Sequence, residues 1–216
     1  MHPGPIQAQS SASTADHWNA VYESKAADAV SWYRPHLDRS IQVIDSLALP
    51  PDAPILDVGA GASTLVDDLL DRGFRNVTLL DISERGLAVA RARLAERASQ
   101  VRWVVSDVVS AQLPTAGFVL WHDRAVLHFL NSDSDRGAYA ALVRASVAPG
   151  GHALISGFGA DGPLKCSNLP VVRASAADIA ATLGPAFHLV RSESETHRTP
   201  WGSEQSFSYA LCRRNG

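Results

Sequence analysis

Asp57, Gly59, Gly61 and Asp81 are the residues whose types and spacing point most directly to chemistry. The first three lie in Ile55-Leu56-Asp57-Val58-Gly59-Ala60-Gly61-Ala62-Ser63-Thr64-Leu65, which reads as a buried strand, a glycine turn and the start of a helix. Gly59 and Gly61 let backbone approach a ligand with no Cβ between them. The free N–H groups of a helix start favour a polar or anionic ligand group. Asp57, two residues before Gly59, works against a pyrophosphate and suits a ligand with a cationic amino group. A dinucleotide turn of the G-x-G-x-x-G type would place glycine where Thr64 stands. A turn that merely needs glycine is the competing reading. Asp81 follows Gly61 by twenty residues. In a right-handed β-α-β unit that spacing puts a carboxylate at the end of the neighbouring strand, where it can accept both hydroxyls of a ribose. Asp81 or Ser83 can equally cap the helix that begins at Glu84.

A second group follows a later apolar run. Phe118-Val119-Leu120-Trp121 reads as a strand that delivers His122-Asp123-Arg124, and residues 125–130 form a helical turn or two that carries His128. A histidine titrates near pH 6.5 and suits a general base; a hydrogen-bonded structural histidine is the alternative for both His122 and His128. Asp123 and Arg124 can form an ion pair or orient a substrate carboxylate. Trp18, Tyr22, Trp32 and Tyr33 concentrate aromatics before the main fold begins. They read either as the packing face of an amphipathic helix or as a lid, since aromatic faces attract cations.

The positioning elements can be read in order. Residues 1–15, rich in Ser, Ala, Gln and Pro, are expected to be a mobile tail, and residues 16–216 one domain with residues 16–36 as its aromatic lid segment. Leu37, Ile41, Ile44 and Leu47 fall at helical spacing. Ser63 or Thr64 is placed to cap the first crossover helix, whose Leu65, Leu69 and Leu70 should face the sheet before it stops at Arg72-Gly73. Strands are expected at residues 76–82 and 101–105. A further helix spans 134–147 and ends at a Pro149-Gly150-Gly151 turn before a strand at 152–156, and residues 157–172 form a loop. A helix follows at 175–183, then paired strands at 187–195 and 203–211.

The chain has 216 residues and a formal net charge of −3, enough for one domain with a sizeable core. That balance, with no basic run, argues against nucleic-acid and membrane partners. Cys166 and Cys212 show no metal or redox spacing, so no metal ligand is assigned. With no signal peptide or long apolar run, a cytoplasmic protein is expected.

Asp57-Val58-Gly59-Ala60-Gly61 resembles motif I of the class I S-adenosylmethionine-dependent methyltransferases. Leu79-Leu80-Asp81-Ile82-Ser83 resembles the family's second motif, and Ser106-Asp107-Val108 its third. The resemblance covers roughly residues 40–160. It implies an α/β, three-layer α/β/α Rossmann-like sandwich, with a seven-stranded mostly parallel sheet and an antiparallel last strand. It implies S-adenosylmethionine as cofactor, with Asp57, Gly59, Ala60 and Gly61 at its methionine end, Asp81 and Ile82 at the ribose, and Asp107 and Val108 at the adenine. Asp107 also suits a simple turn. In relatives with a similar entry segment, the region of Trp18, Tyr22, Trp32 and Tyr33 helps close the cofactor pocket, and His122 lies at the same sheet edge. The fold's last two strands form a hairpin, which would bring Cys166, His197, Arg198 and Trp201 toward His122 and His128.

The implied activity is methyl transfer to an O, N or S nucleophile, with a small-molecule acceptor and a monomer or weak homodimer expected. His122-Asp123-Arg124-Ala125 loosely resembles the D-K-G segment of lysine methyltransferases that act on elongation factor and citrate synthase. Arg124 stands for Lys and Ala125 for Gly, so protein lysine is kept as an alternative acceptor. The same cofactor-site residues are also compatible with a non-catalytic S-adenosylmethionine-binding protein and, more distantly, with an NAD-dependent oxidoreductase.

Overall fold

Ile55–Val58 forms β1, and all four of its residues are buried. A strand buried on both faces belongs at the centre of a parallel sheet. The computed structural model, which describes residues 11–216 and side chains from residue 14, places it there. Chain order is α1 (Ser11–Ser24), α2 (Asp38–Ser46), β1, α3 (Leu65–Asp71), β2 (Val77–Asp81), α4 (Glu84–Leu94), β3 (Val101–Val105), β4 (Phe118–Arg124), α5 (Asp133–Ser146) and β5 (Val147–Phe158). A short ribbon of β6 (Lys165–Cys166) and β7 (Leu169–Pro170) follows. The chain ends with α6 (Ala176–Leu183), β8 (Phe187–Arg198) and β9 (Glu204–Arg214). The sheet order is β3-β2-β1-β4-β5-β9-β8. The first five strands pair in parallel, and β9 runs antiparallel to both β5 and β8.

Side chains alternate across this sheet and build two apolar layers. Ile55, Leu79, Leu120 and Leu154 face α2, α3 and α4, where Ile41, Ile44, Leu65, Leu69 and Leu87 meet them. Leu56, Leu80, Trp121 and Ile155 face α5 and α6, against Tyr139, Val143 and Ile179. This is the α/β/α sandwich expected.

Several local readings change. Residues 1–10 of the expected tail lie outside the described residues, but 11–15 are helical, because α1 begins at Ser11. Leu70 is half-buried, while Leu65 and Leu69 are fully covered. Thr64 is the N-cap of α3 but makes no side-chain cap, its hydroxyl donating instead to Arg34 O at 2.9 Å; Ser63 Oγ, one residue before it, accepts from Leu65 N at 3.2 Å. Pro149-Gly150-Gly151 lies within β5, as an irregularity opposite residues 118–120 of β4, with Gly150 in the left-handed region at φ 76°. The loop at 157–172 contains the β6–β7 ribbon, turned by Ser167 and Asn168 at positive φ. The expected turns at 125–130 reduce to one 3-10 turn, Leu127–Phe129.

Candidate active site

The glycine turn is forced by its surroundings. Gly59 and Gly61 have φ of 64° and 44°, where side chains are disfavoured. A Cβ on Gly59 would stand 2.0 Å from Val126 Cγ2, and one on Gly61 2.1 Å from the Tyr22 hydroxyl. Beneath the turn, β1 and β4 pair Asp57 directly with His122. Asp57 Oδ1 lies 2.7 Å from His122 Nδ1, and His122 Nε2 lies 2.9 Å from Ser40 Oγ on α2. One carboxylate oxygen is thereby fixed; the other, Oδ2, is buried without a protein partner. A buried oxygen left in that state is costly, of order 1–3 kcal/mol or more for a charged group.

Asp81 ends β2. Its Oδ2 accepts from Gly61 N at 2.8 Å and its Oδ1 from Ser83 N at 2.7 Å. Burial pushes this carboxyl up to about 6, and the two N–H donors oppose the shift. The helix-capping role falls to Ser83, whose Oγ accepts from Gly86 N at 3.0 Å and donates to Asn19 Oδ1 on α1 at 2.8 Å. Asp107 forms a turn, accepting from Val109 N at 3.0 Å.

Two adjoining cavities surround these groups. The smaller, about 510 Å³, is lined by Asp57, the glycine turn, His122, Tyr33 and Arg34. The larger, about 880 Å³ and open to solvent, runs past Asp81, Ile82, Asp107 and Val108 to His128, Phe158, Cys166 and Phe207. Tyr22, Trp32, Val58, Gly59 and Arg124 line both. Trp18 packs edge-on against Trp32 at 5.7 Å and Phe129 at 5.2 Å, roofing the larger cavity. Tyr22 is half-buried over the turn, and desolvation holds its phenol far above the usual range.

Strand alternation corrects the reading of the His122-Asp123-Arg124 run. His122 and Arg124 project to the face of α2, and Asp123 to the opposite face. His122 has both ring nitrogens engaged, so it acts as a structural support for Asp57, not a free base. Asp123 is fully buried, and it accepts from Val126 N at 2.8 Å, Leu127 N at 3.1 Å and the Tyr139 hydroxyl at 2.5 Å. Burial pushes its carboxyl up to about 6. It forms no ion pair with Arg124 and cannot touch an acceptor; it fixes the turn that carries His128. Ala125 in that turn has φ 76°, a glycine-like backbone.

Arg124 Nη1 donates to Trp32 O at 3.1 Å and its Nε to the Tyr209 hydroxyl at 3.4 Å. Its Nη2 is buried and unpartnered. His128 is 4% exposed, with neither ring nitrogen partnered. Burial first, then Arg124, pushes it down to about 3, so the ring is neutral. Cys166 does reach the larger cavity, with its thiol pushed up to about 11 by burial. His197 is buried nearby and bonds Ser31 O at 2.6 Å. Arg198 and Trp201 do not join the site: Arg198 pairs with Glu204 at 2.9 Å and Trp201 is 61% exposed. β8 and β9 continue past the site, so their turn projects beyond it.

Ser40, Asn19, Tyr139, Phe158 and Phe207 escaped sequence reasoning. Each sits in an ordinary apolar or helical pattern, and only the tertiary fold brings it to the site.

A family model described as a methyltransferase domain matches residues 55–151. The eEF1A lysine and N-terminal methyltransferase of Danio rerio is 29% identical over 135 residues, covering 62% of this chain and 19% of that protein. The chain thus spans about a fifth of that relative's length. A structure from work on the conversion of a disulfide bond into a thioacetal group during echinomycin biosynthesis superposes with a TM-score of 0.77 at 18% identity, over 94% of this chain and 92% of the other. Burkholderia thailandensis 1,6-didemethyltoxoflavin-N1-methyltransferase, with bound 1,6-didemethyltoxoflavin and S-adenosylhomocysteine, superposes with a TM-score of 0.71 at 23% identity, over 99% and 94% of the two chains. These two likenesses concern the fold. The domain match and the strand-turn-carboxylate arrangement lead to one conclusion: residues 55–151 form a methyltransferase domain, set in a fold shared with S-adenosylmethionine-dependent methyltransferases of known structure.

Proposed function

We propose that this chain transfers the methyl group of S-adenosylmethionine to a nucleophilic O, N or S atom of a small molecule. The observation that carries the reading is the unpartnered Asp57 Oδ2, buried beside a glycine turn and held in place through His122 and Ser40. Such an oxygen fits the cofactor's ammonium group. Asp81 retains acceptor capacity for two ribose hydroxyls, and Ile82, Asp107 and Val108 line the cavity where an adenine would lie. Trp18, Tyr22, Trp32 and Tyr33 line the two cavities and limit the access of water to the sulfonium.

The cofactor supplies an electrophilic methyl group. The chain's part is to hold the acceptor in line with it, and such positioning is worth up to roughly 7–11 kcal/mol. An aromatic site of limited water access also favours the dispersal or neutralisation of charge as nucleophile and sulfonium react. The roofed cavity supports a small acceptor, and the bound small molecule in the toxoflavin enzyme is consistent with it.

Protein lysine is a second reading, favoured by the name of the Danio rerio relative and by the glycine-like Ala125. Transfer of labelled methyl from S-adenosylmethionine, assayed on a thiol and phenol panel beside an elongation-factor protein, separates the readings. Label on a panel member is expected. Label on the protein alone would establish the lysine reading, and no transfer despite cofactor binding would mark a non-catalytic binder.

A further inference from the structure

The acceptor end of the larger cavity carries an unbalanced charge. Arg124 is in no ion pair among the described residues, and its Nη2 is buried without a partner. The nearest carboxylate of that network, Glu195, is already taken by Arg34 at 2.8 Å and the Tyr209 hydroxyl at 2.7 Å. Asp81 and Asp107 lie toward the ribose and adenine end. Beside Arg124 stands His128, buried, with both ring nitrogens unpartnered. Around them are the rings of Trp18, Trp32, Phe129, Phe158 and Phe207.

Buried polar groups in folded proteins are nearly always satisfied, and the exceptions mark a missing ligand or water. Arg124 and His128 together lack a partner that accepts hydrogen bonds and carries negative charge. The aromatic walls set its shape. Aromatic faces also attract cations, but Arg124 already covers the Phe207 face at 4.6 Å. An acceptor amine held as a cation would meet both Arg124 and the sulfonium.

We infer that the acceptor is a flat aromatic molecule bound as an anion, its ionised oxygen or sulfur held by Arg124 and His128. The inference rests on the methyl-transfer reading and deepens it. The acceptor's proton leaves to solvent on binding. Its lone pair then forms the new bond to the methyl carbon, the old carbon–sulfur bond breaks, and that electron pair stays on the departing sulfur. No base is required in the transfer step. His128, kept neutral by burial and by Arg124, supplies an N–H to the anion.

The test uses the full chain saturated with S-adenosylhomocysteine and two probes of one skeleton, umbelliferone and its amino analogue. Titration is followed by calorimetry and by absorption, at a pH where free umbelliferone is largely un-ionised. Umbelliferone is expected to bind at least about tenfold more tightly than the amine and to show its phenolate band when bound. Arg124→Gln should lose the preference and the band; Arg124→Lys should keep part of both. Equal binding of the two probes, a bound phenol that absorbs as the neutral form, or binding of neither would overturn the inference, and the wild-type protein alone decides this even if a variant misfolds. Failure of S-adenosylhomocysteine itself to bind would instead remove the methyl-transfer reading.

Discussion

The donor end of the site and the acceptor end are satisfied differently. At the donor end Asp57, Asp81, His122 and Ser83 hold one another or the glycine turn through bonds of 2.7–3.0 Å, and one carboxylate oxygen is left over. At the acceptor end three nitrogens, on Arg124 and His128, have no partner, inside a wall of rings. Pre-bonded side chains give a rigid, selective cradle for one ligand. An apolar box with a few unmet polar groups sets orientation and charge, and leaves the rest of the acceptor's shape to the walls. The same contrast appears in how the ends are assembled. Asp57, the glycine turn, Asp81 and Ser83 of the donor cradle come from two consecutive strand-turn units, with His122 added from β4; the acceptor box draws its residues from α1, the segment after it, β4 and its turn, β5, β6 and β9.

The largest effect that would sharpen this contrast is at Asp57. Asp57→Ala removes the free oxygen and the partner of His122, so S-adenosylhomocysteine affinity should fall by about a hundredfold or more, on the scale of a hydrogen bond between charged groups. Thermal melting should drop in parallel. Unchanged affinity by calorimetry would break the assignment of the donor end.

Asp81→Asn should weaken the cofactor by about ten- to a hundredfold. It also carries a pH signature. With its carboxyl raised from 3.8 to about 6, Asp81 loses charge as pH falls through 6. Wild-type cofactor affinity should therefore decline below that pH, and the Asn variant's should not. Folding responds with the opposite sign. Asp81 and Asp123 both bind protons more readily when folded, so each adds stability as pH falls from about 6 toward 3.8. His128, held down at about 3, opposes this, so the Asp81 contribution is read as the wild-type minus Asp81→Asn difference in melting temperature, which should rise as pH falls. Calorimetry and thermal melts across that window distinguish the two trends; parallel trends would contradict the burial of these carboxyls.

The smallest effect is expected at the roof. Trp18→Ala removes edge contacts to Trp32 and Phe129, each worth about 0.5–1.5 kcal/mol. Acceptor KM should rise several-fold while S-adenosylhomocysteine affinity changes by less than about threefold. A larger loss of cofactor than of acceptor would place Trp18 at the donor end.

The same difference in assembly explains what was legible. Asp57, Gly59, Gly61 and Asp81 could be read because a strand, a tight turn and a crossover helix fix their spacing along the chain. The strands and helix faces were readable from apolar periodicity, and the antiparallel β9 from the family resemblance. His122 could not be separated from a general base, since its partners, Asp57 and Ser40, lie 65 and 82 residues away. Asp123 was misplaced because the length of β4, and hence the face each residue takes, depends on pairing with β1 and β5. The reach of the β8–β9 hairpin, which carries Arg198 and Trp201 away, is likewise set by pairing with β5.

The most direct test of the account is calorimetric titration of the protein with S-adenosylhomocysteine, S-adenosylmethionine and NAD in parallel. Binding of both sulfur ligands with none of NAD is the predicted result. Binding of NAD alone, or of no ligand, would contradict the roles given to Asp57 and Asp81 and the methyl-transfer reading built on them.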